Sequence, residues 1–133
     1  ILTRADSAAV IAMAAPLQSA HEVAIVKEPG KTLAMVKMRE TVEAGLFYLG
    51  EVIVWEAAVE VDGARGMAIT MDDCADKALA MAIIDAAVNR GVFEGWPTLL
   101  ALDAAQAQRD MRENALHLQT TVSFTSMDAE MPT

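Results

Sequence analysis

The residue types best suited to chemistry are gathered at positions 72–76, where Asp72, Asp73 and Asp76 surround the single cysteine, Cys74. Closely spaced carboxylates could bind a hard cation, and a cysteine beside a helix N-terminus could become a reactive thiolate. The same acids disfavour a thiolate because like charges repel, and acidic side chains in a first helical turn stabilise the helix dipole. We therefore interpret the group as structural and keep Asp72 and Asp73 as weak site candidates.

A further carboxylate, Asp85, stands among apolar residues of a predicted helix and is also a weak candidate. It shares a narrow polar stripe with Lys77 and Asn89, which accounts for its position without a function. The two histidines, His21 and His117, are far apart in sequence, and neither belongs to a cluster with metal-ligand spacing. We predict no metal site and no cofactor bound by this chain alone.

The overall charge restricts the classes of partner. The chain has 19 Asp and Glu against 10 Lys and Arg, a net charge of -9 at pH 7, which disfavours binding to nucleic acid or to anionic membrane. No Gly-rich loop joins a strand to a helix, so there is no sign of a phosphate cradle.

No apolar run reaches the roughly 20 residues that span a bilayer. We predict a cytoplasmic protein, and because the chain begins at Ile1 without Met or a signal-like segment, we expect its natural N-terminus to be truncated.

The element around which the chain is organised is a predicted antiparallel hairpin at residues 47–69. Asp62-Gly63 separates two apolar alternating runs, and this dipeptide favours the positive φ angles of a tight turn. The return strand is predicted at residues 64–71. Period-two alternation predicts that the drier face of the first strand consists of Ile53, Trp55, Ala57, Val59 and Val61.

Other elements are predicted on both sides of this hairpin. Two strands at residues 22–27 and 33–38, with a turn at Pro29-Gly30, complete a four-strand meander, and residues 39–45 form a polar connection to the hairpin. Asp6 is predicted to cap a short helix that Pro16 stops.

The second half changes to helical periodicity. It predicts a helix at residues 73–89, ended by Gly91, a longer helix at 97–118, and a last short strand at 120–126. The apolar stripe predicted for the longer helix comprises Leu100, Ala104, Ala107, Met111, Ala115 and Leu118. Residues 1–133 are therefore predicted to form one α+β domain, an antiparallel sheet around the central long hairpin with helices packed on one face.

One segment of the predicted hairpin resembles a known family. Phe47-Tyr48-Leu49-Gly50-Glu51, followed by Ala57-Ala58-Val59, is similar to the F-x-x-G-[DE] strand and the A-A-V of the PhnG subunit of carbon–phosphorus lyase. The downstream segments at 82–86, 102–104 and 122–127 occur in the family's order, so the resemblance covers about residues 22–127. The chain resembles a divergent member, because Glu56, Glu113 and Thr121 stand where basic residues are common. Residues 72–77 replace the family's G-R-D-[KR]-x-H segment.

The resemblance implies an accessory subunit of a phosphonate-catabolism complex. That complex couples a phosphonate to ribose C1 of ATP, its substrate, with release of adenine and formation of ribose 1-phosphonate 5-triphosphate. Because no residues here converge on a site that would stabilise a leaving base, we place the catalytic residues on a partner, a PhnI-like subunit. We predict that Phe47, Gly50, Trp55 and Glu56 form the docking surface, with core packing as an equal alternative for Trp55. Acidic residues at positions that face an anion oppose direct contact with phosphate or phosphonate.

The alternative from another class is a self-contained α+β protein without catalytic activity. Such a protein would bind a small molecule or form a homodimer through a strand edge.

Overall fold

The computed structural model describes residues 1–123, in which three strands and three α-helices follow a short 3₁₀ turn at Leu2–Arg4. The strands form one antiparallel sheet in the order β1-β2-β3. This arrangement confirms the α+β class and the antiparallel sheet. In chain order the elements are α1 (Ser7–Ala20), β1 (Val23–Arg39), β2 (Leu46–Val61), β3 (Ala64–Thr70), α2 (Ala75–Arg90) and α3 (Trp96–Gln119).

The predicted central hairpin is confirmed. Asp62 and Gly63 have φ angles of 47° and 82°, the two positive values that a type I′ turn requires. Ala57, Val59 and Val61 are buried, as predicted for the dry face of β2. The prediction is wrong for Ile53, which is 63% exposed, whereas the neighbouring Val54 is buried. Ile53 lies outside the core cluster, which extends along β2 only as far as Trp55.

The predicted turn at Pro29-Gly30 is wrong, and so is the four-strand meander. β1 is one continuous strand of 17 residues, and its register against β2 shifts between Ile25 and Lys27 and again between Lys27 and Gly30. Such β-bulges absorb extra residues without ending the strand. Because β1 lies at the edge of the sheet, the missing N–H of Pro29 is tolerated there.

Helix α2 is the centre of the core and packs on β2, β3 and α1. It lies close to β3 at Gly66, where an added Cβ would lie less than 3.0 Å from backbone atoms of Ala82 and Ala86. Only glycine fits at that crossing. The helix ends, as predicted, at Gly91, whose φ of 80° is left-handed.

The N-terminal helix is longer than predicted. The Asp6 carboxylate accepts a hydrogen bond from the amide of Ala8, which confirms Asp6 as the N-cap. Pro16 does not stop α1, which continues to Ala20. Proline removes one intrahelical hydrogen bond. Pro16 lies on the exposed side of the helix, so water can bond to the carbonyl group that is left without its partner.

Helix α3 has about the predicted length, but the side that faces the protein interior is not the predicted one. Leu99, Leu102 and Gln106 lie on its inner side, whereas the predicted apolar stripe faces outward, with Met111 71% exposed. The helix is held by the N-terminal residues rather than by the sheet: Gln106 donates to the carbonyl of Ile1 at 2.9 Å. Residues 120–123 of the predicted last strand are not in a strand, and the rest of that strand lies outside the described residues.

Candidate functional site

Beyond the end of β3, strands β1 and β2 continue as a two-stranded ribbon, which we call the arm (residues 32–54). Its ladder runs from the pair Thr32 and Val54 to the pair Arg39 and Leu46, with one register shift after Val36. No third strand pairs with the arm among the described residues. A two-stranded ribbon without a further layer is only marginally stable in water, so the arm is the least supported part of the sheet.

The arm carries large apolar side chains in contact with solvent. Leu33 and Ile53 are paired across the ladder and are 60% and 63% exposed. Contiguous apolar surface of this kind marks an interaction site on a folded protein. The other exposed large apolar residues of the arm are Met35, Met38, Val42, Leu46, Phe47, Tyr48 and Leu49.

The tip of the arm, residues 40–45, is ordered by its own polar groups. The Glu40 carboxylate accepts hydrogen bonds from the amides of Val42 and Glu43, both at 2.9 Å. Arg39 donates to the carbonyl of Ala44 at 2.7 Å. These bonds fix the turn. Of the flanking side chains, the ring of Tyr48 has Lys37 Nζ 5.8 Å from its centroid.

Trp55 joins the root of the arm to the start of α2. Its indole Nε1 donates to Asp73 Oδ1 at 2.9 Å, and Lys31 Nζ lies 3.1 Å from the same oxygen and 5.4 Å from the indole ring centroid. The hydrogen bond from Trp55, followed by that from Lys31, lowers the pKa of Asp73. Trp55 also packs partly buried against the core, so it contributes to the fold as well as bordering the arm.

The other three predicted docking residues lie along the same strand. Phe47 is on the arm opposite Met38. Gly50 is also on the arm, and an added Cβ there would have no heavy atom within 4 Å. Glu56 lies at the root, where its carboxylate accepts a hydrogen bond from Lys27 at 2.6 Å. The strand therefore brings the four residues onto one continuous element, and their role in docking stays a prediction.

Asp72 is engaged by Lys77, which the sequence places on the narrow polar stripe of α2. Lys77 is completely buried, and its ammonium group donates to Asp72 and to the carbonyls of Thr3 and Ala5, the last two at 2.9 and 2.7 Å. These bonds compensate for burial of the charge and hold the N-terminal segment against α2. The signal in the sequence for the burial of Lys77 is the nearly all-round apolar character of α2, which predicts that this helix is buried on every side.

Asp85 and Asn89 form hydrogen bonds with backbone groups at the outer edge of β3. Its carboxylate accepts a hydrogen bond from the amide of Met67 at 3.1 Å, and four residues later Asn89 donates to the carbonyl of Arg65 at 2.9 Å. The polar stripe of α2 thus pairs edge groups that would otherwise be open to another strand.

One concave surface is an open apolar groove of about 830 Å³ between α1 and the segment that joins α2 to α3. Met13, Leu17, Phe93 and Thr98 are among its lining residues.

Within residues 1–123, no group of three or more His, Cys, Asp or Glu side chains is placed to hold a metal ion. No helix in that part of the chain is long and apolar enough to cross a membrane.

Fold and site together define a small α+β domain whose most distinctive surface is an uncovered apolar arm. A family model described as phosphonate metabolism protein PhnG matches residues 1–128 of the 133. The chain belongs to the PhnG family, as its motifs indicated, and is a protein of phosphonate metabolism. Comparison with curated proteins gives no match.

Proposed function

We propose that this chain is an accessory subunit of the complex that couples a phosphonate to ribose C1 of ATP with release of adenine. Family membership supports the pathway. The observation that carries the accessory role is the arm, whose apolar side chains are exposed on a ribbon that needs a further layer for stability. A partner subunit, PhnI-like, supplies that layer and the catalytic residues.

The distribution of positive charge supports a non-catalytic role. Binding a triphosphate and a phosphonate requires converging cationic groups. In this chain the lysines nearest the arm's root are paired with acids, Lys27 with Glu56 and Lys31 with Asp73. Lys77 is buried and is paired with Asp72, whose side chain is 48% exposed. ATP binding by the isolated chain is therefore weak, and the cations that hold the anionic substrates belong to another subunit.

Charge also favours a different subunit over a second copy as the occupant of the arm. Each chain carries a net charge of -9, and two like-charged chains repel at long range. A partner of another sequence is free of that constraint.

The proposal is tested by mixing this chain with its cognate PhnI-like subunit and measuring mass by light scattering after size-exclusion chromatography. The informative variant replaces two exposed apolar residues of the arm, Leu33→Ser with Ile53→Ser. A matched control replaces two exposed apolar residues on the helices, Ile11→Ser with Val88→Ser, which are both 38% exposed.

We expect a stable hetero-complex for the natural chain and for the helix control. If each arm residue contributes about 2 kcal/mol as an interface anchor, the arm variant should bind roughly 100- to 1,000-fold more weakly. A natural chain that remains separate from the partner contradicts the proposal. A homodimer that excludes the partner supports the self-contained alternative instead.

A further inference from the structure

The edges of β3 and β1 are treated differently. Beyond Trp55 the edge of β2 is open as well, but its regular part is limited to residues 50–54, before the register shift. The outer edge of β3 is bonded by Asp85 and Asn89 of α2. Within residues 1–123, no hydrogen bond from outside the sheet reaches the backbone of β1 between positions 31 and 38. Natural proteins protect sheet edges because an open row of N–H and C=O groups pairs with other strands, so an unprotected edge of this length is a candidate for strand addition.

The open part of this edge is regular. The bulges and Pro29 interrupt the first half of β1, but the register against β2 is unbroken from Gly30 to Val36. A strand of ordinary length, about five to six residues, fits along that stretch.

The side chains beside the edge form a charged and apolar pattern. Lys31, Leu33, Met35 and Lys37 alternate onto one face of β1. The register shift after Val36 adds its extra residue on β2, opposite this strand, so the alternation of β1 continues through Lys37 and Arg39. Two exposed apolar side chains are thus flanked by positive charges on the same face. Lys31 is paired with Asp73, and Lys37 lies over the ring of Tyr48.

We propose that β1 accepts an added strand along residues 31–37, an extended segment of the partner subunit with apolar residues flanked by Asp or Glu. This inference rests on the proposed function and names how the partner is bound. Backbone hydrogen bonds would supply affinity, and a carboxylate opposite Lys37, which has no acidic partner within residues 1–123, would fix the register. Lys31 is already paired with Asp73. The added strand also gives the arm the third strand that it lacks.

A second copy of this chain is a poor occupant of the same edge. Antiparallel pairing of two β1 strands about Ala34 places Lys31 opposite Lys37, and pairing about Met35 places Lys31 opposite Arg39. Like charges directly across a ladder are destabilising. An acidic segment of another subunit meets the same positions with the opposite sign.

Consecutive proline substitutions test the backbone contact. Neighbouring residues of an edge strand direct their N–H groups to opposite sides. Of the two variants Ala34→Pro and Met35→Pro, one therefore removes a hydrogen bond to β2, and the other removes an N–H that points away from the sheet. The variant that lacks only the outward N–H keeps its hydrogen bonds to β2, so thermal melts identify it as the variant with the unchanged melting temperature. We expect that variant to lose partner binding although it folds normally.

Charge reversal tests the chemistry of the segment. Lys37→Glu should weaken association about fivefold, and the loss should shrink at high salt. Arg112→Glu makes the same charge change on the exposed part of α3, so it serves as the control and should leave association unchanged.

Hydrogen exchange decides the case even if neither proline variant folds. Amides of residues 31–37 that exchange rapidly in the free chain should become protected in the hetero-complex. If the complex forms without that protection, or if the stable proline variant binds normally, strand addition is overturned while the proposed function stands. If the natural chain forms no complex, the proposed function itself fails.

Discussion

Gly66 and Gly50 are two strand glycines for which the structure predicts opposite effects of the same substitution. In Gly66→Ala, the new Cβ would lie 2.7 Å from Ala86 Cα and closer still to the Ala86 amide and the Ala82 carbonyl. All three are backbone atoms, so no side chain can rotate away, and α2 must shift from β3. In Gly50→Ala, nothing lies within 4 Å of the new methyl group.

The expected magnitudes follow from packing. Overfilling a packed core costs about 1–3 kcal/mol, and displacement of a whole helix places Gly66→Ala at the upper end, about 3 kcal/mol. With about 3–5 °C per kcal/mol for a domain of this size, the melting temperature should fall by roughly 10 °C. Gly50→Ala should be neutral or stabilising by up to about 1 kcal/mol, because alanine reduces the entropy of the unfolded chain.

Urea and thermal unfolding followed by circular dichroism measure both variants against the natural chain. Equal urea m-values would show that the comparison concerns stability rather than a changed unfolded state. If Gly66→Ala melts within about 2 °C of the natural chain, the close approach of α2 to β3 is wrong. If Gly50→Ala is as damaging as Gly66→Ala, the arm is not open at that position.

Three further perturbations test other parts of the structure. Trp55→Ala should lower the unfolding free energy by about 2–3 kcal/mol, seen as a lower melting temperature of the isolated chain, whereas unchanged stability with lost assembly would make Trp55 purely a docking residue. Lys77→Met should leave the Ala5 carbonyl unsatisfied at a cost of about 1–3 kcal/mol and should speed hydrogen exchange in residues 1–5; unchanged exchange there would contradict the anchoring role. The hydrogen bond from His21, followed by that from the Glu22 amide, lowers the pKa of Asp62, so its stabilisation is present above the unfolded carboxyl pKa of about 3.9 and is lost as the pH falls through the lower folded value. Asp62→Asn, which tolerates the positive φ of the turn, should flatten the acid side of the profile of melting temperature against pH, and an unchanged profile would remove this pair from the account.

Local signals in the sequence predicted the elements that are determined by backbone chemistry. Asp62-Gly63 identified the tight turn of the central hairpin, Gly91 the end of α2 and Asp6 the start of α1, because turn and cap residues act through their own φ angles or hydrogen bonds. Pro29 and Pro16 were misinterpreted for a related reason. Proline interrupts an element only where its N–H is needed, and here one proline lies in an edge-strand bulge and the other on an exposed helix face.

Long-range packing was less accessible from the sequence. Helical periodicity cannot tell which side of α3 faces inward, and the outcome depends on contacts of Gln106 and Asp110 with residues at the other end of the chain. The burial of Lys77 depends on carbonyls more than 70 residues away. Of the candidate site residues, the sequence placed Phe47 and Gly50 on the first strand of the central hairpin, whereas the uncovered arm and the hydrogen bonds made by the carboxylates required the fold.

The most direct test of the accessory role follows formation of ribose 1-phosphonate 5-triphosphate from ATP and methylphosphonate. The product is measured for this chain alone, for the remaining subunits of the complex, and for the two combined. We expect no adenine release by the chain alone, no ATP binding by it at micromolar concentration in calorimetry, and product only when all subunits are combined. Addition of the variant with Leu33→Ser and Ile53→Ser should fail to restore product. Adenine release or micromolar ATP binding by the isolated chain would contradict the account.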